Sequence, residues 1–287
     1  MNFKISKPNA IVIANKPFGL GSNKLLSEFK KLLPKKTKVG FVGTLDPLAN
    51  GVLPIAVGKF TKLIPYMKLE PKVYQAEFVF GVTSETLDLE GVDLSAELEK
   101  LVENKQCFTK EQLESFLQSL IPEYNQVPPV FSAKKVNGVR SFKLAREGKA
   151  VELAPCKVGF SDFEILDFNW PVLKLKIQVG KGFYVRSLVK DIASEFATVG
   201  LMSKLTRVRC GKFVLASEKF REIDLRSVLD ASVIEVAKEV ANDLKYGKLS
   251  VLSEDLTAGL NLLCFEKQYL AVVERVGDEV SLIRNFV

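Results

Sequence analysis

Alternating apolar and polar residues predict two half-buried β-strands in the middle of the chain. In residues 173–179 every second residue is Leu, Ile or Val, and the residues between them are Lys or Gln. A period of two is typical of a strand with one buried and one solvated face. Residues 73–80 follow the same pattern, and Tyr74 lies on their more apolar side. We therefore expect the Tyr74 ring to point toward the core side of its sheet.

Three other segments have the apolar spacing of helices. Leucine and phenylalanine recur at helical intervals in residues 25–33, after Ser22 as a candidate N-cap. Thr109 and Gln112 have the spacing of a capping box before a second helix, and residues 185–196 are expected to form a third. Half-buried strands mixed with irregularly placed helices favour an α+β domain on a mixed, mainly antiparallel sheet over a doubly wound parallel sheet.

The pattern changes after about residue 215. One helix is expected there, and the apolar side chains of its buried face are Leu229, Val233, Val236, Val240 and Leu244. Short strands are expected after it, near residues 269–273 and 279–283. We therefore divide the chain into a larger domain of residues 1–215 and a segment of residues 216–287 that ends in a small β-rich module.

The 287 residues include no histidine, and this excludes several classes of chemistry. Ser-His and Cys-His nucleophile pairs, His-ligated zinc and imidazole acid-base catalysis are all ruled out. Because 47% of the residues are hydrophobic and 26% are charged, the chain has the composition of a folded globular protein. An enzyme of this sequence has to use carboxylate, Tyr, Lys, Cys or Arg groups.

The cysteines and the apolar segments bear on the compartment. Cys107, Cys156, Cys210 and Cys264 are widely spaced and form no CxxC pair, so we expect reduced thiols and no metal site. The apolar run at residues 10–14 is too short for a signal-peptide core, and no later stretch is long enough to span a bilayer. We expect a cytoplasmic protein without a membrane partner.

Basic residues are concentrated in two parts of the chain. The net charge is +7 overall, and it is +10 in residues 1–72, −8 in residues 73–133, +9 in residues 134–215 and −4 in residues 216–287. Surface lysines are common in globular proteins, but two strongly biased blocks favour a positive face that folding assembles for a polyanion.

Residues 40–51, GFVGTLDPLANG, place one carboxylate on a loop bracketed by glycines. Pro47 disfavours helical geometry at Asp46, and apolar residues surround the acid on both sides. An ordinary Asp-Pro turn is one interpretation. The alternative is a partly buried carboxylate, which would need a partner because burial of an unpaired charge is costly.

Two further segments carry candidate partners. Residues 180–191, GKGFYVRSLVKD, follow a predicted strand and place Arg186 in the first turn of a helix. Arg186 has three interpretations: a solvated helix residue, a phosphate contact, or a bidentate partner that keeps a buried aspartate ionised. In residues 126–148 basic residues alternate with Phe131 and Phe142, which suits either RNA contact by phosphate binding and base stacking or a plain basic surface hairpin.

Two other motifs are discounted. Residues 19–24, GLGSNK, fit neither a P-loop nor a dinucleotide-binding fingerprint, so no nucleotide cofactor is expected. The acidic residues Glu85, Asp88, Glu90 and Asp93 lack the spacing of a calcium loop and are expected to lie in a solvated loop.

Taken together, the motifs resemble those of the TruB family of tRNA pseudouridine synthases. The matching pieces, in order, are Lys16-Pro17 with Gly19, GTLDPLANGVLPIAVGKFTK from Gly43, VYQAEFVFG from Val73 followed by the loop from Thr83 to Gly91, VPPVFSAKKVNG from Val127, GKGFYVRSLVKDI from Gly180 and LTRVRCGKF from Leu205. They run from about residue 10 to residue 215, and the remaining segment resembles a shortened RNA-binding module related to PUA domains.

The resemblance implies a pseudouridine synthase fold in residues 1–215 and a role for each matching residue. Asp46 would be the essential aspartate, Tyr74 the ring that stacks on the target uracil, and Arg186 the partner of the aspartate. The implied substrate-binding residues are Phe41, Tyr184, Leu205 and Lys16.

The implied reaction isomerises uridine 55 in the T loop of tRNA to pseudouridine. The nucleotide is flipped out of the RNA, and no cofactor is needed because nothing is oxidised. The implied partner is the T arm of tRNA, bound by a monomer. Asp46 has three chemical routes open: attack on C1′, attack on the base, or removal of a sugar proton to give a glycal.

The sequence departs from the family at two positions. Bacterial members usually have a histidine five residues before the aspartate, where this chain has Phe41. Phe41 can stack but cannot form hydrogen bonds, so we expect base flipping with altered affinity. Phe183 replaces a usual small hydroxyl residue and either narrows the pocket or points into the core. Neither change involves Asp46 or Arg186.

Two rival functions remain at the level of sequence. The first is a non-catalytic tRNA-binding or tRNA-folding factor that uses the same basic surface. The second is an aspartate-dependent N-glycosidase that releases free uracil. The product distinguishes them, because only the isomerase retains the base within the RNA chain.

Overall fold

A computed structural model describes residue 5 and residues 7–100, 106–250 and 253–287 of the chain. The helices in these segments are α1 Ser22–Lys30, α2 Leu94–Lys100, α3 Lys110–Ser119, α4 Ser141–Arg146, α5 Val185–Glu195 and α6 Lys238–Lys245, with short 3₁₀ helices at Gly58–Tyr66, Leu225–Ser227 and Ser253–Asp255. The strands are β1 Ala10–Lys16, β2 Val39–Phe41, β3 Ala49–Val57, β4 Lys72–Phe80, β5 Glu123–Gln126, β6 Lys135–Val136, β7 Val139–Arg140, β8 Cys156–Asn169, β9 Val172–Val179, β10 Gly200–Cys210, β11 Phe213–Val214, β12 Phe220–Ile223, β13 Ser232–Glu235, β14 Gly259–Phe265, β15 Gln268–Val276 and β16 Glu279–Asn285.

Among the described residues, ten strands form the main sheet, in the order β12-β1-β3-β10-β4-β9-β8-β5 with β2 added to β3 and β11 added to β10. Neighbours in this order pair antiparallel except β3 and β10, which are parallel. The mixed, mainly antiparallel sheet with helices confirms the α+β interpretation. The predicted strands at residues 73–80 and 173–179 are β4 and β9, which pair directly with each other.

Helices α1, α3 and α5 cover one face of the main sheet. Phe29 of α1, Leu117 of α3 and Leu188 of α5 are fully buried in one apolar cluster with residues of the central strands. Full burial of a side chain of this size contributes about 1.5–3 kcal/mol. Tyr74 belongs to this cluster, as the alternation in β4 predicts. The predicted capping box also forms, with Thr109 N donating to Gln112 Oε1 and Gln112 N donating to Thr109 Oγ1.

The other face of the central strands packs against the C-terminal sheet, whose order is β13-β14-β15-β16. Ile11 and Ile13 of β1 lie in one buried cluster with Leu262 of β14 and Val272 of β15. Residues on both sides of the predicted boundary at residue 215 therefore share a core. The division into domains at that point stays a prediction.

The helix expected to start near Leu229 is wrong in its first half. Residues Ser232–Glu235 form the strand β13, parallel to β14, and only Lys238–Lys245 are helical. Val233 and Ile234 are β-branched and pair with strand residues about thirty positions later, so this tertiary pairing overrides the local helical spacing.

Ser22 is the first residue of α1 and not its cap. The N-cap position is Gly21, which offers no side chain, and the Ser22 hydroxyl bonds instead to the backbone of Leu45. Among the described residues, no helix is both long and apolar enough to cross a membrane.

Candidate active site

Four segments from separate parts of the chain surround a cavity of about 790 Å³ on the helix-covered face of the main sheet. They are the β2–β3 loop with Asp46, the start of β4 with Tyr74, the loop after β4 with Asp88, and the start of α5 with Arg186. Residues 131–133, together with Phe142 and Arg146 of α4, add the rim. The cavity therefore brings together the three residues to which the sequence assigned catalysis.

The β2–β3 loop is held from below by the start of α1. Ser22 Oγ donates to Leu45 O at 2.6 Å and accepts from Leu45 N at 3.0 Å, while the Leu45 side chain is buried. The two contacts fix the backbone next to Asp46. Its carboxylate is 36% exposed and faces the cavity.

Lys16 lies under the same loop. Its side chain is fully buried, and Nζ donates to Pro17 O at 3.0 Å, Leu20 O at 2.5 Å and Pro47 O at 3.4 Å. Burial lowers the pKa of Lys16 to about 8, against the opposing effect of the nearby Asp46 carboxylate. Lys16 therefore ties two loops together beneath the aspartate and does not line the cavity, so its substrate contact stays a prediction without geometric support.

Arg186 contacts Asp46 from the first turn of α5. Nη2 lies 2.9 Å from Asp46 Oδ2 and donates to Phe131 O at 3.0 Å, and Nη1 donates to Thr86 O at 2.9 Å. The predicted bidentate grip is wrong, because one nitrogen contacts Asp46 and the other faces the loop after β4. Of the three interpretations of Arg186, the structure agrees with the one in which it is the partner of a carboxylate.

Asp88 is the site residue that the sequence analysis assigned wrongly to a solvated loop. It is 5% exposed, and its Oδ2 lies 3.7 Å from Arg186 Nη1. Oδ1 accepts from Thr86 Oγ1 at 2.7 Å and from Glu90 N at 3.0 Å, so the loop folds around the acid. The available signal was the alternation of Ser84, Thr86 and Asp88, which places hydroxyls beside a carboxylate on one side of the segment.

The pKa of Asp46 depends on its burial and on the charged groups around it. Burial raises the pKa of Asp46 above its ordinary value, and repulsion from Asp88 raises it further, while the Arg186 guanidinium and Lys16 act in the opposite direction. Asp46 thus has the features of a base or nucleophile: a carboxylate of raised basicity held by one permanent cation.

Tyr74 forms the wall opposite Arg186. It is 7% exposed, and its hydroxyl accepts from Arg207 Nη1 at 3.4 Å. Arg207 follows Leu205 by two residues on β10, so both side chains point to the same face of the sheet and both line the cavity. A charged residue in phase with apolar ones on a buried strand face is the sequence signal for Arg207.

Leu205, Tyr184 and Phe183 complete the wall near the aspartate. Gln126 fixes the backbone at Tyr184 by accepting from its N–H at 2.8 Å and donating to its carbonyl at 3.1 Å. The Phe183 ring stacks on Phe160 with a centroid distance of 5.9 Å and also borders the cavity. Both alternatives for Phe183 therefore hold: its ring packs on the core and also narrows the pocket.

Phe41 lies away from the cavity wall. It is the last residue of β2, half-buried, and packs against the main apolar cluster. Phe131 and Phe142 do line the cavity, and Lys134, Lys135 and Arg140, which lie between them in the chain, are exposed. Within the described part of the chain, no group of three or more Cys, Asp or Glu side chains is arranged to hold a metal ion.

Comparisons with known proteins agree with this geometry. The TruB family pseudouridylate synthase N-terminal domain matches residues 30–185. The tRNA pseudouridine synthase B of Campylobacter concisus (strain 13826) is 34% identical over 97% of this chain and 98% of its own length, and that of Campylobacter jejuni (strain ATCC 700819 / NCTC 11168) is 39% identical over 74% of this chain and 75% of its own.

Solved structures share the fold. A Cbf5-Nop10-Gar1 complex includes a chain that is 18% identical, with a TM-score of 0.67 over 96% of this chain and 85% of that one. Family match, full-length relatives and the Asp46–Arg186 pair point the same way: the chain belongs to the TruB family of pseudouridylate synthases, which are isomerases.

Proposed function

We propose that this protein isomerises uridine 55 in the T loop of tRNA to pseudouridine. The observation that carries the proposal is the 2.9 Å pair of Asp46 Oδ2 and Arg186 Nη2, placed in one cavity with the Tyr74 ring. The relatives named above as tRNA pseudouridine synthase B support tRNA as the substrate. We also propose that the protein acts on tRNA in the cytoplasm and as a monomer.

The proposed reaction balances within the uridine itself. The bond between N1 and C1′ breaks, the uracil turns while it stays bound, and a new bond joins C5 to C1′. The proton on C5 is lost, and N1 gains one. No electron acceptor or donor is required, so carboxylate and aromatic side chains suffice for the chemistry.

Each wall of the cavity has a part in this reaction. Asp46 is the group that attacks C1′, attacks the base or removes a sugar proton, and Arg186 keeps it ionised against the cost of burial. The Tyr74 ring stacks on the flipped uracil, while Leu205 and Tyr184 enclose it. The exposed cations of hairpin β6–β7 are placed to contact the phosphates of the RNA.

Residues 216–287 are proposed as a PUA-like RNA-binding module. Leu262 and Phe286 of this segment share a buried cluster with Ile11 of the main sheet. Removal of the segment would expose that cluster, so substitutions of surface residues are a better probe of RNA binding than truncation.

The position of the modification is the first test. We expect wild-type protein to give a carbodiimide-dependent reverse-transcription stop one nucleotide 3′ of nucleotide 55 of an unmodified tRNA transcript, which reports pseudouridine at that nucleotide and at no other uridine. The matched control is the same transcript with cytidine at position 55. A stop elsewhere in the wild-type transcript, or a stop that persists in the cytidine transcript, would contradict the assignment to uridine 55.

Asp88→Asn tests the second carboxylate on Arg186. The Asn carbonyl can still accept from Thr86 and Glu90, so the loop should fold. The maximal single-turnover rate should fall about tenfold, a loss of about 1.4 kcal/mol in transition-state stabilisation, because Arg186 loses one of its anchors. Since Asp88 raises the pKa of Asp46, the acid side of the pH–rate profile should move to lower pH.

Glu90→Gln is the matched control for this prediction. Glu90 also lines the cavity but pairs with the exposed Arg146 at 3.6 Å instead of with Arg186. The acid side of its profile should stay in place. An acid limb that moved to higher pH in Asp88→Asn would show that the two carboxylates do not repel each other in the working enzyme.

A further inference from the structure

Arg207 is a fully buried cation that is held by backbone oxygens instead of a carboxylate. It is 1% exposed; Nε donates to Val52 O at 2.7 Å and Nη2 donates to Gly43 O at 3.0 Å. These contacts fix the guanidinium plane, and Nη1 is directed to the Tyr74 hydroxyl at the cavity wall. Each guanidinium nitrogen donates one hydrogen bond, which leaves N–H donors free, and within the described residues none of these bonds is to a carboxylate.

Lys72 lies beside Arg207 on the same wall. It precedes Tyr74 by two residues on β4, is half-buried and borders the cavity. A Cβ atom added at Gly43 would lie 3.3 Å from Arg207 Nη1 and 3.6 Å from Lys72 Nζ, so both cationic nitrogens approach one point. Gly43 has φ of +70° and no side chain, which keeps that point open.

The remaining charges of the cavity are already paired. Arg186 contacts both Asp46 and Asp88, and Arg146 contacts Glu90. For the residues whose positions are described, neither Lys72 nor Arg207 forms an ion pair with a carboxylate. The cavity thus has an acidic side around Arg186 and an unneutralised basic side around Tyr74.

We propose that Lys72 and Arg207 form an anion subsite that binds a backbone phosphodiester of the RNA next to the target nucleotide. This inference rests on the proposed function, which supplies an RNA as the ligand. A phosphodiester has one negative charge and several acceptor oxygens, which suits a fixed guanidinium and a flexible ammonium side by side. Because Arg207 also touches the Tyr74 hydroxyl, the bound phosphate belongs to a linkage that flanks the stacked base.

Arg207 is the fixed member of the subsite and Lys72 the adjustable one. Arg207 connects Gly43, Val52 and Tyr74, so its substitution would disturb folding as well as binding. Lys72 has a flexible side chain at the cavity edge, and its charge can be removed with less damage. Lys72→Gln is therefore the variant to test.

The first experiment is a single-turnover titration of Lys72→Gln with an unmodified T-arm stem–loop at several salt concentrations. We expect the half-saturating protein concentration to rise about tenfold, and its logarithmic salt dependence to become less steep by about 0.7–0.9, the value for one lost phosphate contact. The substitution should change the half-saturating protein concentration more than the maximal single-turnover rate. Lys110→Gln, an exposed lysine of α3 paired with Glu114, is the matched control and should show neither change.

The second experiment identifies the anion. Each of the two linkages that flank the target uridine is replaced in turn by an uncharged methylphosphonate, and the binding of wild type and Lys72→Gln is compared. At one linkage the replacement should weaken wild-type binding about tenfold and leave Lys72→Gln binding almost unchanged. Equal losses for both proteins at both linkages would overturn the subsite.

The same samples separate the subsite from the proposed function. Absence of pseudouridine in the wild-type reaction would overturn the function, whereas the non-additive loss of binding would still support the phosphate contact. Pseudouridine formation together with additive losses would keep the function and overturn the subsite.

Discussion

Asp46→Asn should lose pseudouridine formation by a factor on the order of 10⁴ while the protein stays folded and still binds tRNA. Asparagine is nearly isosteric with aspartate, and the loop around it is held by Ser22 and Lys16, not by the carboxylate. The substituted amide can neither act as a base nor attack C1′ or the base. All three chemical routes therefore fail together.

Single-turnover assays with saturating protein measure this loss, and thermal unfolding and tRNA binding serve as folding controls. Asp162→Asn makes the same chemical change at an exposed position of β8 and should retain wild-type turnover. Turnover of Asp46→Asn within tenfold of wild type would exclude Asp46 as the reacting carboxylate.

Arg186→Lys should lower the maximal rate by about 10²- to 10³-fold. The guanidinium reaches Asp46, Thr86 and Phe131 at once because its nitrogens form a planar fork. A single ammonium cannot reproduce these directions, although it retains the charge. Because Arg186 lowers the pKa of Asp46, weakening the contact should also move the acid side of the pH–rate profile to higher pH.

Arg146→Lys is the matched control for Arg186→Lys. Arg146 lines the same cavity but is exposed and pairs with Glu90. Its exchange should leave the acid side of the profile unchanged and reduce the rate by less than about threefold. A wild-type rate in Arg186→Lys would mean that the simultaneous contacts of the guanidinium with Asp46, Thr86 and Phe131 are not used in the reaction.

Elements whose signals are local could be predicted from the sequence. The alternation in β4 and β9 gives both strands, and the Thr109 capping box marks the start of α3, because side-chain period and cap chemistry act over a few residues. The segment around Val233 could not be predicted in the same way. Its strand depends on pairing with β14, which lies far along the chain.

In the candidate site, too, the residues with local signals could be predicted, whereas those that depend on distant partners could not. Asp46 stands out because an acid in an apolar glycine-bracketed loop is unusual, and the family resemblance extends this to Tyr74 and Arg186. The role of Asp88 could not be predicted from its neighbours in sequence, because Arg186, which it contacts, lies 98 positions further along the chain. The contacts of Arg207 could not be predicted for a related reason, since its partners are backbone oxygens of the β2–β3 loop and of β3, more than 150 positions earlier in the chain.

The most direct test of the account measures tritium release from a tRNA transcript labelled at C5 of uridine. Wild-type protein should release the label from nucleotide 55 with the RNA chain intact and the base retained, because C5 loses its hydrogen when it bonds to C1′. Asp46→Asn should release none. Retention of the label by folded, tRNA-bound wild type would contradict the isomerase and favour a binding factor, and appearance of free labelled uracil would favour an N-glycosidase.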